Sequence, residues 1–362
     1  MTGRADLLQR LLRRDGKFGL EAAGDVADLS DGRQTESLDQ LELALRSGGA
    51  DPEPVERLLQ SARDGLAELA RGGALSDADL RIGVEAIILA DGSRPCVLVQ
   101  DDRVNSAEPT LGNWAANVHQ GPSRIAAIAR ATARITLPGA DGAWVIGTGF
   151  AIGSGRVATN RHVLQLIATP DAAAPGGWAF LPGAVVDFCG EHDRAAKPER
   201  QFAPLSVHFA GPDLIGEAAD PALLDLAVID IQSNGLSDFP DTVQIADGDD
   251  GLRHGGQIAV LGFPAAPAFG SVLDVVLYKL FRNVFGVKRF APGFVTLLPG
   301  KVAGDHDPPR CFGHDASTLG GNSGSCIFDI AGVWQVVGLH FGGSAQINNY
   351  AHAVARIAEY MG

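Results

Sequence analysis

From residue 131 onward the chain is a succession of short apolar runs, each closed within a few residues by Gly, Pro, Asp or Asn. They fall at 133–137, 143–152, 157–158, 226–231, 257–262, 294–298, 325–329 and 334–341. Runs of this length suit strands rather than helices, and many of them at this spacing predict a barrel or a sandwich. Two long irregular stretches, 169–221 and 264–290, interrupt the strands and are expected to cover or border a site.

The first part of the chain has a different period. Leu7, Leu8, Leu11 and Leu12 form one stripe, Leu38, Leu41 and Leu45 a second, and Val55, Leu58, Leu59, Ala62, Leu66 and Leu69 a third. Apolar residues three and four apart predict amphipathic helices, with breaks at Gly48-Gly49 and Gly72-Gly73 and a further capped start at 76–79. Residues 1–85 are therefore expected to form a small helical module. Its stripes are most simply its own core, with a docking surface as the alternative. Residues 86–89 and 96–100 flank Asp91-Gly92-Ser93 and read as a hairpin, so 86–130 is expected to be hairpin and connector. The main domain is expected at 131–362. A length of 362 residues suits a principal domain with an appendage.

The chemistry is concentrated in three places. Gly320-Gly321-Asn322-Ser323-Gly324-Ser325 stands just before an apolar run. Glycines on both sides of a serine let the backbone turn sharply, expose the hydroxyl and aim the amides of Gly321 and Ser323 at one point. A developing oxyanion held there gains about 3 kcal/mol per donor. A serine hydroxyl is a weak nucleophile at neutral pH and needs a base. His162 supplies one, at the end of the run that leads into Thr159-Asn160-Arg161-His162-Val163. Asp225, opening Asp225-Leu226-Ala227-Val228, is the candidate acid to fix the imidazole tautomer. Asp220 and Asp230 compete for that role but read as solvated turn or edge acids.

Thr-Asn-Arg-His-Val, Asp-Leu-Ala-Val and Gly-Asn-Ser-Gly-Ser, in that order, resemble the three signature blocks of trypsin-like peptidases. Gly262-Phe263-Pro264 and Gly338-Leu339-His340-Phe341-Gly342-Gly343 resemble the bacterial glutamyl endopeptidase branch. The resemblance spans residues 131–358. It implies a mainly β fold of two six-stranded antiparallel β-barrels, chymotrypsin-like, following the small helical N-terminal module. It also implies a serine endopeptidase with His162 as base, Asp225 as orienting acid and Ser323 as nucleophile, and with Gly321 and Ser323 as oxyanion donors. Phe341, Gly342 and Gly343 would pair with the substrate backbone as an added strand. Where trypsins carry the aspartate that selects Lys or Arg, this chain has Ser317. Thr318 and His340 match instead the pair that receives a carboxylate, which implies cleavage after Glu or Asp. Asn322 replaces the aspartate that pairs with a freshly cleaved N-terminus, so activation by that salt bridge is not expected. The long spacing between His162 and Asp225 implies an insertion.

Composition narrows the partners. The formal net charge of −14 opposes phosphate backbones and anionic lipid, so neither nucleic acid nor membrane is expected as a partner. Residues 1–19 carry scattered charges and lack the apolar core of a secretory signal, which together with the absence of any long apolar span predicts a cytoplasmic protein. The four cysteines, Cys96, Cys189, Cys311 and Cys326, form no CxxC pair. They are expected to be reduced and mostly buried. His254, His306, His314 and His352 lack metal-ligand spacing and read as surface or structural. Gly16-Lys17 and Gly300-Lys301 lack the rest of a phosphate loop. No metal or cofactor is expected. The partners expected are a protein or peptide substrate and a regulatory protein engaging residues 1–85. The rival reading is a peptide-binding pseudoprotease or scaffold recruited through those helices.

Overall fold

The computed structural model describes residues 93–139, 142–216, 219–267, 274–344 and 348–362, together with 42, 56, 59, 60, 63 and 64. Most of the N-terminal leucine stripes, and the 86–89 half of the expected hairpin, lie outside the described residues. Those described between 42 and 64 are helical, as their spacing predicts.

Among the described residues seventeen strands follow in chain order. Before the first long hairpin come β1 (Val97–Gln100) and β2 (Arg103–Val104). Next are β3 (Thr132–Gly139), β4 (Gly142–Gly153), β5 (Arg156–Thr159), β6 (Ala168–Pro170), β7 (Trp178–Phe180), β8 (Val185–Asp187), β9 (Gln201–Phe202), β10 (Pro204–Ala210) and β11 (Ala227–Ile231). The last six are β12 (Gln257–Gly262), β13 (Arg289–Leu297), β14 (Cys311–His314), β15 (Cys326–Asp329), β16 (Val336–Ser344) and β17 (Asn348–Ala353). Among the described residues from 93 onward the α-helices are α1 (Ala115–Gln120), α2 (Pro122–Ala131), α3 (Arg161–Ile167) and α4 (Asp274–Phe281). The fold is mainly β and of the chymotrypsin type. Six strands close on themselves in the order β12-β15-β16-β17-β14-β13, with β13 pairing back to β12, and β1 and β2 extend this sheet from β13. The other sheet, β10-β11-β5-β4-β3-β8-β9, curls into a half-barrel.

The apolar runs of the closed barrel are continuous because both of their faces are buried. Along β12, Ile258 and Val260 enter one apolar cluster while Ala259 and Leu261 enter another. In β15, Ile327 joins the first and Cys326 and Phe328 the second. Period-2 alternation thus divides each strand between the barrel interior and the seam with the half-barrel. That seam holds Phe150, Val157 and Ile229 against Phe328 and Leu339. It is the ground on which the candidate site stands.

Three sequence expectations need correction. The stretch 169–221 is not irregular but carries five short strands, β6 to β10. The stretch 264–290 contains α4 and the start of β13. The segment before residue 131 is more than a connector. β1 pairs with β13 and with β2, while Leu111, Trp114, Val118, Ile125 and Ile128 are buried in the seam core. Lys288 ties this segment down. Its ammonium donates to the carbonyls of Ala129 (2.6 Å) and Phe188 (2.9 Å) and lies 3.3 Å from Asp102. Burial pulls its pKa down, and the charges of Asp102 and Glu191 oppose that. All four cysteines are free and buried. Among the described residues, no helix is long and apolar enough to cross a membrane.

Candidate active site

Strand register brings the histidine and the aspartate together. β5 and β11 are antiparallel, with Thr159 opposite Ala227. Continuing that register past the strand ends sets Asp225 beside the residues that follow Asn160. There the chain turns from extended Asn160 into α3, whose first turn carries His162. The sequence placed this histidine at a strand end, and the structure puts it on the short helix that begins there. The Asn160 amide donates to the Asp225 carbonyl at 2.8 Å. The His162 backbone N–H donates to Asp225 Oδ1 at 2.9 Å, and His162 Nδ1 lies 2.5 Å from Oδ2. Both side chains are buried. Burial works to raise the Asp225 pKa, yet the charge of His162 and its ring and backbone hydrogen bonds outweigh that and hold it below the usual carboxylate value. An ionised Asp225 keeps the proton on Nδ1 and leaves Nε2 as the basic nitrogen.

A second histidine braces the aspartate from behind. The Asp225 backbone N–H donates to His352 Nε2 at 3.0 Å. An imidazole that accepts at Nε2 and is neutral carries its proton on Nδ1, which lies 3.4 Å from Cys311 Sγ. The Cys311 thiol in turn lies 3.5 Å from the Pro221 carbonyl. Burial pushes the His352 pKa down to about 4, with Asp225 pulling the other way. Asp220 and Asp230 stand apart, as expected. Asp220 accepts from the Ala222 amide, and Asp230 faces Arg156 and Ser206.

The serine turn is built from the barrel and pinned by the half-barrel. Gly321 and Gly324 adopt φ of +89° and +88°, a region that side-chain-bearing residues rarely occupy. A Cβ on Gly324 would also fall 2.0 Å from the Thr148 carbonyl. Thr148 N–H donates to the Ser323 carbonyl at 2.8 Å, and its hydroxyl donates to the Gly321 carbonyl at 2.7 Å. Gly324 N–H donates to the His340 carbonyl at 2.9 Å. With those carbonyls fixed, the amides of Gly321 and Ser323 donate to no protein acceptor among the described residues. Gly147 shows how close the two halves come. A Cβ placed there would meet Val163, next to the histidine, at 2.6 Å and the Ser323 carbonyl at 3.1 Å. The sequence-predicted base, acid and serine therefore share one locality. Its chemistry is that of a hydroxyl, a carboxylate-braced imidazole and a pair of unengaged amides, which suits acyl transfer.

The predicted pocket residues lie on the barrel side. Thr318 and His340 are buried, and the Ser317 hydroxyl donates to the Arg94 carbonyl at 2.6 Å. His340 Nδ1 is 3.2 Å from His314 Nε2, and burial followed by the charge of His340 drives the His314 pKa well below its usual value. Phe341 stacks on His352 at 4.5 Å, while a Cβ on Gly342 would approach Ala219 to 3.0 Å. Arg94, His314 and His352 were missed as neighbours of the site. Each reaches it through pairing between distant segments, which local sequence does not display. Among the described residues, no group of three or more His, Cys, Asp or Glu side chains is placed to hold a metal.

Residues 147–339, which include His162, Asp225 and Ser323, match the trypsin-like peptidase domain family. The chain belongs to the trypsin-like peptidases. A probable serine protease of Lysobacter enzymogenes is 33% identical over 346 residues, covering 88% of this chain and 86% of that protein. Among solved structures, the active form of the Rv3671c protease from M. tuberculosis is 22% identical with a TM-score of 0.38, over 67% of this chain and 85% of that one. The HtrA-type protease AlgW with a tripeptide is 19% identical with a TM-score of 0.40, over 67% and 61%. This trypsin-like peptidase is a serine endopeptidase. The similarity to the L. enzymogenes relative extends well beyond the family domain.

Proposed function

We propose that this endopeptidase cleaves peptide bonds through an acyl-enzyme formed on Ser323. His162 takes the serine proton and later delivers it to the leaving amine. Asp225 fixes the imidazole and stabilises its charged form, and the Gly321 and Ser323 amides receive the oxyanion. The carrying observation is the buried His162–Asp225 pair at 2.5 Å, with Val163, the residue after the histidine, facing the same Gly147 that the Ser323 carbonyl abuts. A fluorophosphonate probe tests it. Labelling of the wild type and none of Ser323→Ala is expected, and labelling that survives the substitution would assign the nucleophile elsewhere. A wild type that never labels would favour the pseudoprotease reading.

The preference we assign is for Glu, then Asp, before the scissile bond. The support is Ser317 in place of an acidic selector, its hydroxyl committed to the Arg94 carbonyl, and the buried Thr318 and His340. Phe341, Gly342 and Gly343 are the strand edge for the substrate backbone. Peptides differing only in that residue measure kcat/KM for each, and faster cleavage after Lys or Leu would overturn the assignment. Residues 1–85 are proposed as the surface for a regulatory protein partner, in a protein acting in the cytoplasm. A pull-down with residues 1–85 deleted checks this, since capture that persists would place the partner elsewhere.

A further inference from the structure

Where β1 leaves β13, the surface opens into a cavity of about 560 Å³ lined by none of the groups assigned to peptide hydrolysis. Its size is that of a small-molecule site. Four arginines line it, Arg103, Arg194, Arg282 and Arg289, against a single acidic residue, Glu108. In a chain of formal net charge −14 this is a local reversal of sign.

Two of the four charges are already matched. Arg194 pairs with Asp101 and Arg282 with Glu108, each at 2.8 Å. Arg103 is exposed, and its charge bears only weakly on Asp101, whose main partner is Arg194. Arg289 is the unusual one. It is 3% exposed and meets no carboxylate among the described residues. Its Nη atoms donate to the carbonyls of Cys96 (2.6 Å), Phe281 (2.6 Å) and Val284 (2.9 Å), and its Nε has no partner. Burial pulls the guanidinium pKa down, and nearby Arg282 adds to that. Nor does the Cys96 thiol supply a counter-charge, because burial pushes its pKa up to about 11, beyond the opposing pull of Arg289. A buried cation that is only partly solvated by carbonyl dipoles is costly to keep, and an anion beside it removes that cost. Neutral hydrogen-bonding groups on Gln100, Asn105 and Ser106 complete a lining suited to oxyanions, while Leu280 offers an apolar wall.

We propose that this cavity binds an organic anion through carboxylate or phosphate oxygens held by Arg289 and Arg103, at a site separate from that of peptide hydrolysis. Guanidinium groups suit both oxyanions because their parallel N–H donors match two oxygens at once. Calorimetric titration of the full chain with citrate and, separately, with inorganic phosphate is the test. Saturable one-to-one binding of either, tighter than about 1 mM and weakened at least about tenfold by Arg103→Glu or Arg289→Lys, supports the proposal. Citrate binding alone identifies a carboxylate ligand, phosphate binding alone a phosphoryl ligand, and binding of both the shared chemistry. No heat from either probe up to about 10 mM overturns it, as does binding that both substitutions leave unchanged. Arg103 is exposed, so Arg103→Glu keeps the test decisive even where Arg289→Lys fails to fold.

Discussion

The half-barrel and the closed barrel contribute to one site by different means. The half-barrel supplies His162 and Asp225, whose relation is set by the β5–β11 register and secured by side-chain bonds from Asn160 and to the His162 backbone. The barrel supplies the serine turn, whose shape is set by backbone hydrogen bonds and by two glycines at positive φ. Removing a side chain from the first region should therefore abolish chemistry and leave the fold intact. Changing the backbone preference of the second would damage both. The candidate site lies where Thr148 bonds the serine turn and Gly147 lets the two halves approach.

The largest expected effect tests whether the two regions act as a unit. Ser323→Ala and His162→Ala should each lower kcat by about 10⁶, and the double variant should lose little more, because groups acting in one step are not additive. Steady-state kinetics on a peptide substrate give the three values. A double variant showing the product of the two losses would mean that the half-barrel and the barrel act separately. Next in size is Asp225→Asn, expected to cost about 10⁴ in kcat by favouring the wrong imidazole tautomer while preserving the packing. Circular dichroism should show the fold unchanged.

How the two regions read from sequence follows the same division. β12 was legible to the residue, because its apolar run ends at Gly262-Phe263-Pro264 and the structure ends it at Gly262. β13 was placed late because Pro292 and Gly293 break its pattern. In the structure Pro292 faces Ala259 within the sheet, and Arg289 opens the strand with its charge solvated by three carbonyls. β14 and β17 went unseen because His314 and His352 stand where an apolar residue would have marked a buried strand. Strands of two or three residues, such as β9, are shorter than any periodicity can reveal. In the candidate site, His162, Asp225 and Ser323 stood out in the sequence because the chemistry proposed for them demands particular neighbours in the chain. His352 was not, since it reaches Asp225 only through the pairing of β17 with β14 and β16.

Acid should separate the regions again, by about 3 kcal/mol. His352 and His314 belong to the barrel, are buried, and have pKa values pulled below the ordinary histidine value, His352 to about 4. The unfolded chain binds protons at these histidines near pH 6.5, before the folded chain does, so unfolding takes up protons and stability falls as pH drops. The contribution of His352 is whole above about pH 6.5 and is lost by about pH 4, roughly 3 kcal/mol in all. Asp225, held below its usual value on the half-barrel side, contributes stability that is lost only at still lower pH. Urea unfolding between pH 7 and pH 4 should show the decline, and His352→Gln should flatten it. A curve level from pH 6.5 to pH 4 would mean that the barrel histidines are not held neutral.

The smallest effect concerns the contact by which the barrel reaches into the half-barrel's acid. The Asp225 N–H donates to His352 Nε2, so His352 positions the aspartate without touching substrate. Replacing it by Phe leaves a buried N–H unpaired, at a cost of about 1–3 kcal/mol. If that cost is expressed in the alignment of Asp225 with His162, kcat falls by about tenfold with KM unchanged. Gln keeps an acceptor oxygen and should recover most of the loss, whereas a residue needed only to fill space would be served better by Phe. Equal kcat in the Phe and Gln variants would show that Asp225 is held by His162 and Asn160 alone, and that the barrel gives the site its serine but no support for its acid.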